Sequence, residues 1–195
     1  MTLNILSNAY GHLMDKILIV SNLLRIGGAE KLIYEIVCFA KQQNIEPVIL
    51  ILDNEQEEHY DAIYRELNIG VTRTQIKDIR NLRAPLKMFK SIFWRIKLRY
   101  FAERFYKSVH VVGLYNVNKI YEGLPHQHRF FWNVNNVVQF FDRTYPYSAD
   151  FFSDKNDTIV CINKYQITEL NSQYGDFLKS KLSLFKLFTG AHDTN

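Results

Sequence analysis

Short apolar runs that alternate with amphipathic segments constrain this chain more than any other feature. The runs carry β-branched residues and end in polar residues, a pattern typical of strands buried on both faces of a parallel sheet. The segments between them place apolar residues at helical spacing. The runs lie at residues 16–21, 47–52, 69–76, 109–114, 129–132, 158–162 and 182–188.

Strands in alternation with helices predict an α/β fold: a Rossmann-like, mostly parallel sheet with helices on both faces. The expected helices lie at residues 29–43, 57–67, 78–106, 116–123 and 164–174. The third is one long helix, or two helices broken near Ala84-Pro85, because proline suits a first helical turn. We see no repeat or linker, so we expect one domain at 16–195 after an N-terminal extension at 1–15.

Composition narrows the class of protein. The 195 residues suffice for one real core, and 47% apolar with 23% charged residues is too apolar for a disordered chain. No run reaches the length of a spanning helix. Cys38 and Cys161 lie far apart in apolar surroundings, which favours two reduced core cysteines of an intracellular protein.

The net charge of +4 conceals one strongly basic block. Residues 77–107 hold ten Lys and Arg against Asp78 and Glu103, which gives +8 and leaves −4 for the rest. The block also carries Trp and Phe. Three interpretations stay open: a helix packed on the sheet with a solvated basic face, contact with an anionic membrane surface, or, less favoured, nucleic-acid binding. The membrane interpretation assigns the contact to Lys87, Lys90, Phe93, Trp94, Arg95 and Lys97.

Ligands of open α/β sheets bind at the carboxyl ends of the strands. Gly27 and Gly28, between the first strand and the first helix, let the backbone approach a ligand, and the helix amino terminus offers amides to an anion. The glycines equally suit a tight turn alone. The dinucleotide pattern GxGxxG and the phosphate loop GxxxxGK[ST] are both absent from the sequence.

Two further clusters are interpreted as structural. The acidic residues of segment 53–58 are expected to form a solvated helix start. His126 and His128 have no evident third ligand, so we expect no metal site.

The stretch from Lys16 to Lys31, KILIVSNLLRIGGAEK, resembles the opening of the retaining family-4 glycosyltransferases of the GT-B fold. Gly-Gly-Ala-Glu is its most specific motif. Later segments at 44–50, 131–136, 157–164 and 187–193 are similar to the family in order and spacing, so the resemblance covers about 16–193.

The resemblance implies an acceptor-side lobe whose substrate or diphosphate contacts lie on the rim of the sheet. Asparagine stands where many members carry a histidine near the cleft, and asparagine cannot titrate, so catalytic residues stay unassigned. Asn163 replaces the serine of the family's Ser-Lys pair. The implied contacts are Gly27, Gly28, Glu30, Asn133, Asn135, Asn136, Asn163 and Lys164.

Combined with a donor lobe, such a lobe would serve the transfer of a sugar from a nucleotide-sugar to a saccharide or lipid-linked saccharide acceptor. The resemblance places the nucleotide-sugar mainly on a second lobe that this sequence does not contain, so no cofactor is expected here. A donor-domain polypeptide becomes an expected partner. The chain would be a fragment, a degenerate product or a split-enzyme subunit, cytoplasmic or peripheral on the inner face of the cell membrane. The alternative is a non-catalytic membrane-surface or partner-binding module of the same fold.

Overall fold

The computed structural model describes residues 15–74, 82–103, 106–113, 128–134, 144–145 and 147–185. Several expectations therefore lie outside the described residues: most of the N-terminal extension, the helix at 116–123, Asn135 and Asn136, and the segment at 187–193.

The described strands form one parallel sheet of seven, in the spatial order β3-β2-β1-β4-β5-β6-β7. This confirms the predicted fold class. The strands are β1 Lys16–Ser21, β2 Glu46–Ile51, β3 Gly70–Arg73, β4 Ser108–Val112, β5 Arg129–Asn133, β6 Thr158–Cys161 and β7 Lys181–Leu184.

Alternate residues of each central strand enter different cores. In β1, Leu18 and Val20 pack into one core, whereas Ile17 and Ile19 pack into the other. The register places Ile19 opposite Ile49 of β2 and opposite His110 of β4. Because both faces are covered, nearly every position of β1 must be apolar, as its sequence predicts.

Four α-helices of the described ranges cover the sheet, and side-chain packing places two on each face. Helices α1 and α2 contribute Leu32, Ile33 and Tyr64 to one core. Helices α3 and α4 contribute Leu98, Leu170 and Tyr174 to the other. The helices are α1 Gly28–Gln42, α2 His59–Glu66, α3 Leu86–Glu103 and α4 Lys164–Tyr174, and short 3-10 turns lie at Ala149–Phe152 and Gly175–Phe177.

The cysteines are free, as expected. Cys161 is buried and Cys38 half-buried. Burial raises the pKa of the Cys161 thiol to about 12, with a smaller contribution from the Glu169 charge. Cys161 is therefore a protonated core residue at neutral pH.

A buried ion pair fastens the amino ends of β5 and β6. Arg129 Nε donates to Asp157 Oδ1 at 2.7 Å, and its Nη2 bonds the other carboxylate oxygen. The two side chains are 3% and 0% exposed. The backbone carbonyl of Asp157 also accepts from the Lys181 N–H at 2.9 Å, which ties in β7.

We expect Asp157→Asn to lower the free energy of unfolding by about 3–5 kcal/mol, because it leaves the buried guanidinium charge uncompensated. Urea unfolding followed by circular dichroism measures the change. Glu57→Gln, which removes the exposed pair with Arg65, is the matched control and should cost under about 1 kcal/mol. Equal stability of the two variants would contradict the assignment.

Candidate functional site

The strand order reverses direction between β1 and β4, so the carboxyl ends of these strands border the crevice where doubly wound sheets bind ligands. Residues 22–27 follow β1. Gly113 follows β4 with a φ of 93°, a left-handed conformation that favours glycine. Its N–H donates to the Trp132 carbonyl at 3.0 Å, which closes the end of β4 onto β5.

Gly27 and Gly28 form the start of α1, as the sequence predicts. Gly27 is the N-cap residue in extended backbone, a conformation open to any residue. Its lack of a side chain matters for another reason: a Cβ there would collide with Glu30 Oε2. Gly28 has open space around it. The glycine at 27 therefore makes room for the Glu30 carboxylate.

The Glu30 carboxylate lies over the amino terminus of α1. Desolvation raises its pKa, a hydrogen bond from its own backbone N–H opposes that rise, and the nearby Glu58 charge adds to it. A phosphate at this helix end would have to displace or neighbour this carboxylate. Neutral hydroxyl groups, which donate to carboxylates, fit the same place without that repulsion.

Glu58 holds the loop after β1 against the loop after β2. Its Oε2 accepts from the Leu24 N–H at 2.6 Å and its Oε1 from Arg25 Nε at 3.1 Å. The side chain is 7% exposed. Segment 53–58 does lead into α2, as expected, but this carboxylate is buried rather than solvated.

Arg73, at the end of β3, adds hydrogen bonds to the loop that follows β2 and to α2. Its Nη1 donates to the Asn54 carbonyl at 2.9 Å, and its Nη2 bonds Asp61. Desolvation would raise the pKa of Glu58, but hydrogen bonds from Leu24, Asn54 and Arg25, together with the Arg73 charge, lower it overall. Glu58 is thus a fixed anion beside Glu30.

Asn133, a predicted contact residue, is fully buried at the end of β5. Its Nδ2 donates to the Tyr145 hydroxyl at 2.7 Å, and that hydroxyl donates to Glu169 Oε2 at 3.2 Å. Asn133 Oδ1 finds no hydrogen-bond partner in the described part of the chain. Burial raises the pKa of Tyr145, so its hydroxyl stays protonated. Tyr145-Pro-Tyr147 is interpreted from the sequence as a turn or, less favoured, an aromatic sugar platform, and neither Tyr145 nor Glu169 is predicted beside Asn133, since both come from distant segments.

Asn163 and Lys164 start α4. Asn163 Oδ1 accepts from the Gln166 N–H at 3.0 Å, which is an N-cap bond, and Lys164 is exposed. An asparagine ahead of an amphipathic segment is a known capping signal. The structure thus gives Asn163 a structural role that its sequence position also explains.

The residues predicted for membrane contact lie together on α3. Lys87, Lys90, Phe93, Arg95 and Lys97 are exposed. Trp94, which is also predicted to contact the membrane, instead packs against the core that contains Leu98. No described helix is long and apolar enough to cross a bilayer.

His110, which the sequence did not single out, is a half-buried residue of β4. Trp132 Nε1 donates to its Nδ1 at 3.2 Å, so Nε2 carries the proton and donates to Ser108 Oγ at 3.0 Å. Its ring stacks on Phe130 at 4.8 Å between centroids. Desolvation lowers the pKa of His110 to about 4.

We expect His110 to make the fold less stable as pH falls from about 6.5 towards 4. The unfolded chain binds a proton there near pH 6.5, whereas the folded chain stays neutral until about pH 4. From pH 7 to pH 5 this group should remove about 1–2 kcal/mol of unfolding free energy.

Urea unfolding at the two pH values tests this expectation. His110→Asn should flatten the pH dependence, and His59→Asn, at an exposed position, should leave it unchanged. The same pH dependence in all three proteins would contradict it.

Within the described ranges, no group of three or more His, Cys, Asp or Glu side chains could hold a metal ion. No family model matches the chain, and a search of curated proteins likewise finds no match.

Proposed function

We propose that this chain is the acceptor-binding lobe of a retaining, family-4-like glycosyltransferase. Combined with a donor-binding lobe, it would hold a saccharide or lipid-linked saccharide during sugar transfer from a nucleotide-sugar. Its contribution would be to position the acceptor and to set the electrostatics of the cleft.

The observation that carries the proposal is the place of Gly-Gly-Ala-Glu. The motif lies at the start of α1, after the loop that follows the carboxyl end of β1, beside the switch in strand order where ligands of such sheets bind. The fold class is the one that the family resemblance implies, which supports the proposal without identifying a substrate.

The charges at this site favour a neutral ligand. Glu30 lies over the helix end and Glu58 lies close enough to raise its pKa. Glu58 is engaged by Leu24 and Arg25, so Glu30 is the carboxylate better placed to accept from an added hydroxyl. Arg25 and Arg73 pair with Glu58. The Glu30 carboxylate then suits sugar hydroxyls and disfavours the diphosphate of a donor, in line with a donor bound elsewhere.

We expect the chain to bind neutral saccharides, and Glu30→Gln to weaken that binding about tenfold, because hydrogen bonds to a charged carboxylate are stronger than those to an amide. Ligand-observed NMR with a panel of glucose, galactose, mannose and N-acetylglucosamine measures it. Gly27→Ala, whose added Cβ would displace the carboxylate, should act in the same direction.

Glu35→Gln is the matched control, because Glu35 is an exposed carboxylate on the same helix and should leave binding unchanged. Equal loss in the Glu35 and Glu30 variants, or preferential binding of a nucleoside diphosphate at this loop, would contradict the proposal.

We also expect the purified chain to show no transferase turnover with nucleotide-sugars by itself, since the proposal assigns donor binding to another lobe. A coupled assay for nucleoside-diphosphate release measures this. Substantial turnover by the chain alone would contradict the acceptor-lobe assignment.

The alternative is a non-catalytic partner-binding module of the same fold. Saccharide binding that depends on Glu30 separates the two, because a module of that kind has no reason to recognise sugars at this loop. Recovery of turnover on addition of a donor-domain polypeptide would further favour the transferase lobe.

A further inference from the structure

Helix α3 is attached to the sheet along one narrow side. Of its described side chains, at 86–99, all are exposed except Ser91, Trp94 and Leu98. These three are spaced by three and four residues, so they share one side of the helix. Leu98 belongs to the core that contains Leu18 and Val20 of β1, and the partly buried Trp94 packs against it.

The opposite side of α3 is apolar and open to solvent. Phe89, Ile92, Phe93 and Ile96 are spaced by three and four residues, which places them together and away from Leu98. They are 48–65% exposed, and Leu86 and Met88 are also more than half exposed. Such a contiguous apolar surface is unfavourable in water and marks a contact site.

Lysines border this apolar side. At 3.6 residues per turn, Lys90 and Lys97 lie between it and the core-facing side. Lys97 Nζ lies 5.8 Å from the Phe93 ring centroid and 4.9 Å from that of Trp94. The ammonium group thus stays beside the aromatic surface and projects its charge next to it.

We propose that the apolar side of α3 lies in the interface of an anionic lipid bilayer, with its lysines against the headgroups. A helix with an exposed aromatic and aliphatic side bordered by lysines has the chemistry of an interfacial helix. A second copy of the chain fits less well, because a symmetric contact would bring the same lysines together. The proposal does not rest on the proposed glycosyltransferase function.

Vesicle co-sedimentation of the full 195-residue chain tests the proposal. The chain should bind phosphatidylcholine vesicles that contain phosphatidylglycerol far better than vesicles of phosphatidylcholine alone. The double change Lys90→Gln with Lys97→Gln should weaken binding about twenty-five-fold, at about fivefold for each lysine. Lys31→Gln with Lys155→Gln makes the same charge change at exposed positions outside α3 and should alter binding less than about threefold.

A second variant separates insertion from charge attraction. Phe89→Ser with Ile96→Ser removes exposed apolar groups without a change of charge, so it should weaken vesicle binding while the unfolding midpoint in urea stays close to that of the parent. Phe93→Trp should shift its fluorescence to the blue on addition of the anionic vesicles.

Three results would overturn the proposal. The first is equal binding to both kinds of vesicle. The second is equal loss in the two double lysine variants. The third is a dimer in analytical ultracentrifugation that the Phe89 and Ile96 changes abolish while vesicle binding persists, which would assign the apolar side to a second copy of the chain.

Discussion

Burial of both faces of β1, β2 and β4 is the constraint on which the rest of the structure depends. Ile17 and Ile19 enter one core while Leu18 and Val20 enter the other. A helix layer is therefore required on each side, and polar chemistry is displaced to the edges of the sheet. At the amino edge of the sheet, the buried ion pair of Arg129 and Asp157 joins neighbouring strands. At the carboxyl edge of the sheet, carboxylate and amide side chains lie beside the loops that follow the strands.

Buried carboxylates connect the loops at the carboxyl edge of the sheet. Glu58 receives the Leu24 N–H and the Arg25 side chain, and Arg73 sets the position of the neighbouring Asp61. These bonds tie the loop before α1 to the loop after β2 through the Leu24 N–H and the Arg25 side chain. The Glu30 carboxylate lies beside this loop, over Gly27, in the space that a Cβ at position 27 would occupy.

Local pattern was enough to locate the strands and to give the bounds of α4, because short apolar runs and a capping asparagine are encoded within a few residues. It failed for the burial of Glu58, which depends on Leu24 and on Arg73, both distant in the sequence. Local pattern also failed for the packing of Trp94, because a helix with apolar residues on both sides does not indicate which side packs on the sheet. The link from Asn133 through Tyr145 to Glu169 joins three segments that only the tertiary fold brings together.

The direction of α3 relative to the strands determines how the carboxyl edge of the sheet would face a membrane. A helix that connects two parallel strands generally runs roughly antiparallel to them, so we expect α3, which follows β3 and precedes β4 in the chain, to lie nearly along the strand axes. With the open side of α3 flat on a bilayer, the strands lie flat as well, and their carboxyl edge opens sideways just above the lipid headgroups. A substrate that is itself anchored in the bilayer could then approach this edge by lateral diffusion, a search in two dimensions instead of three.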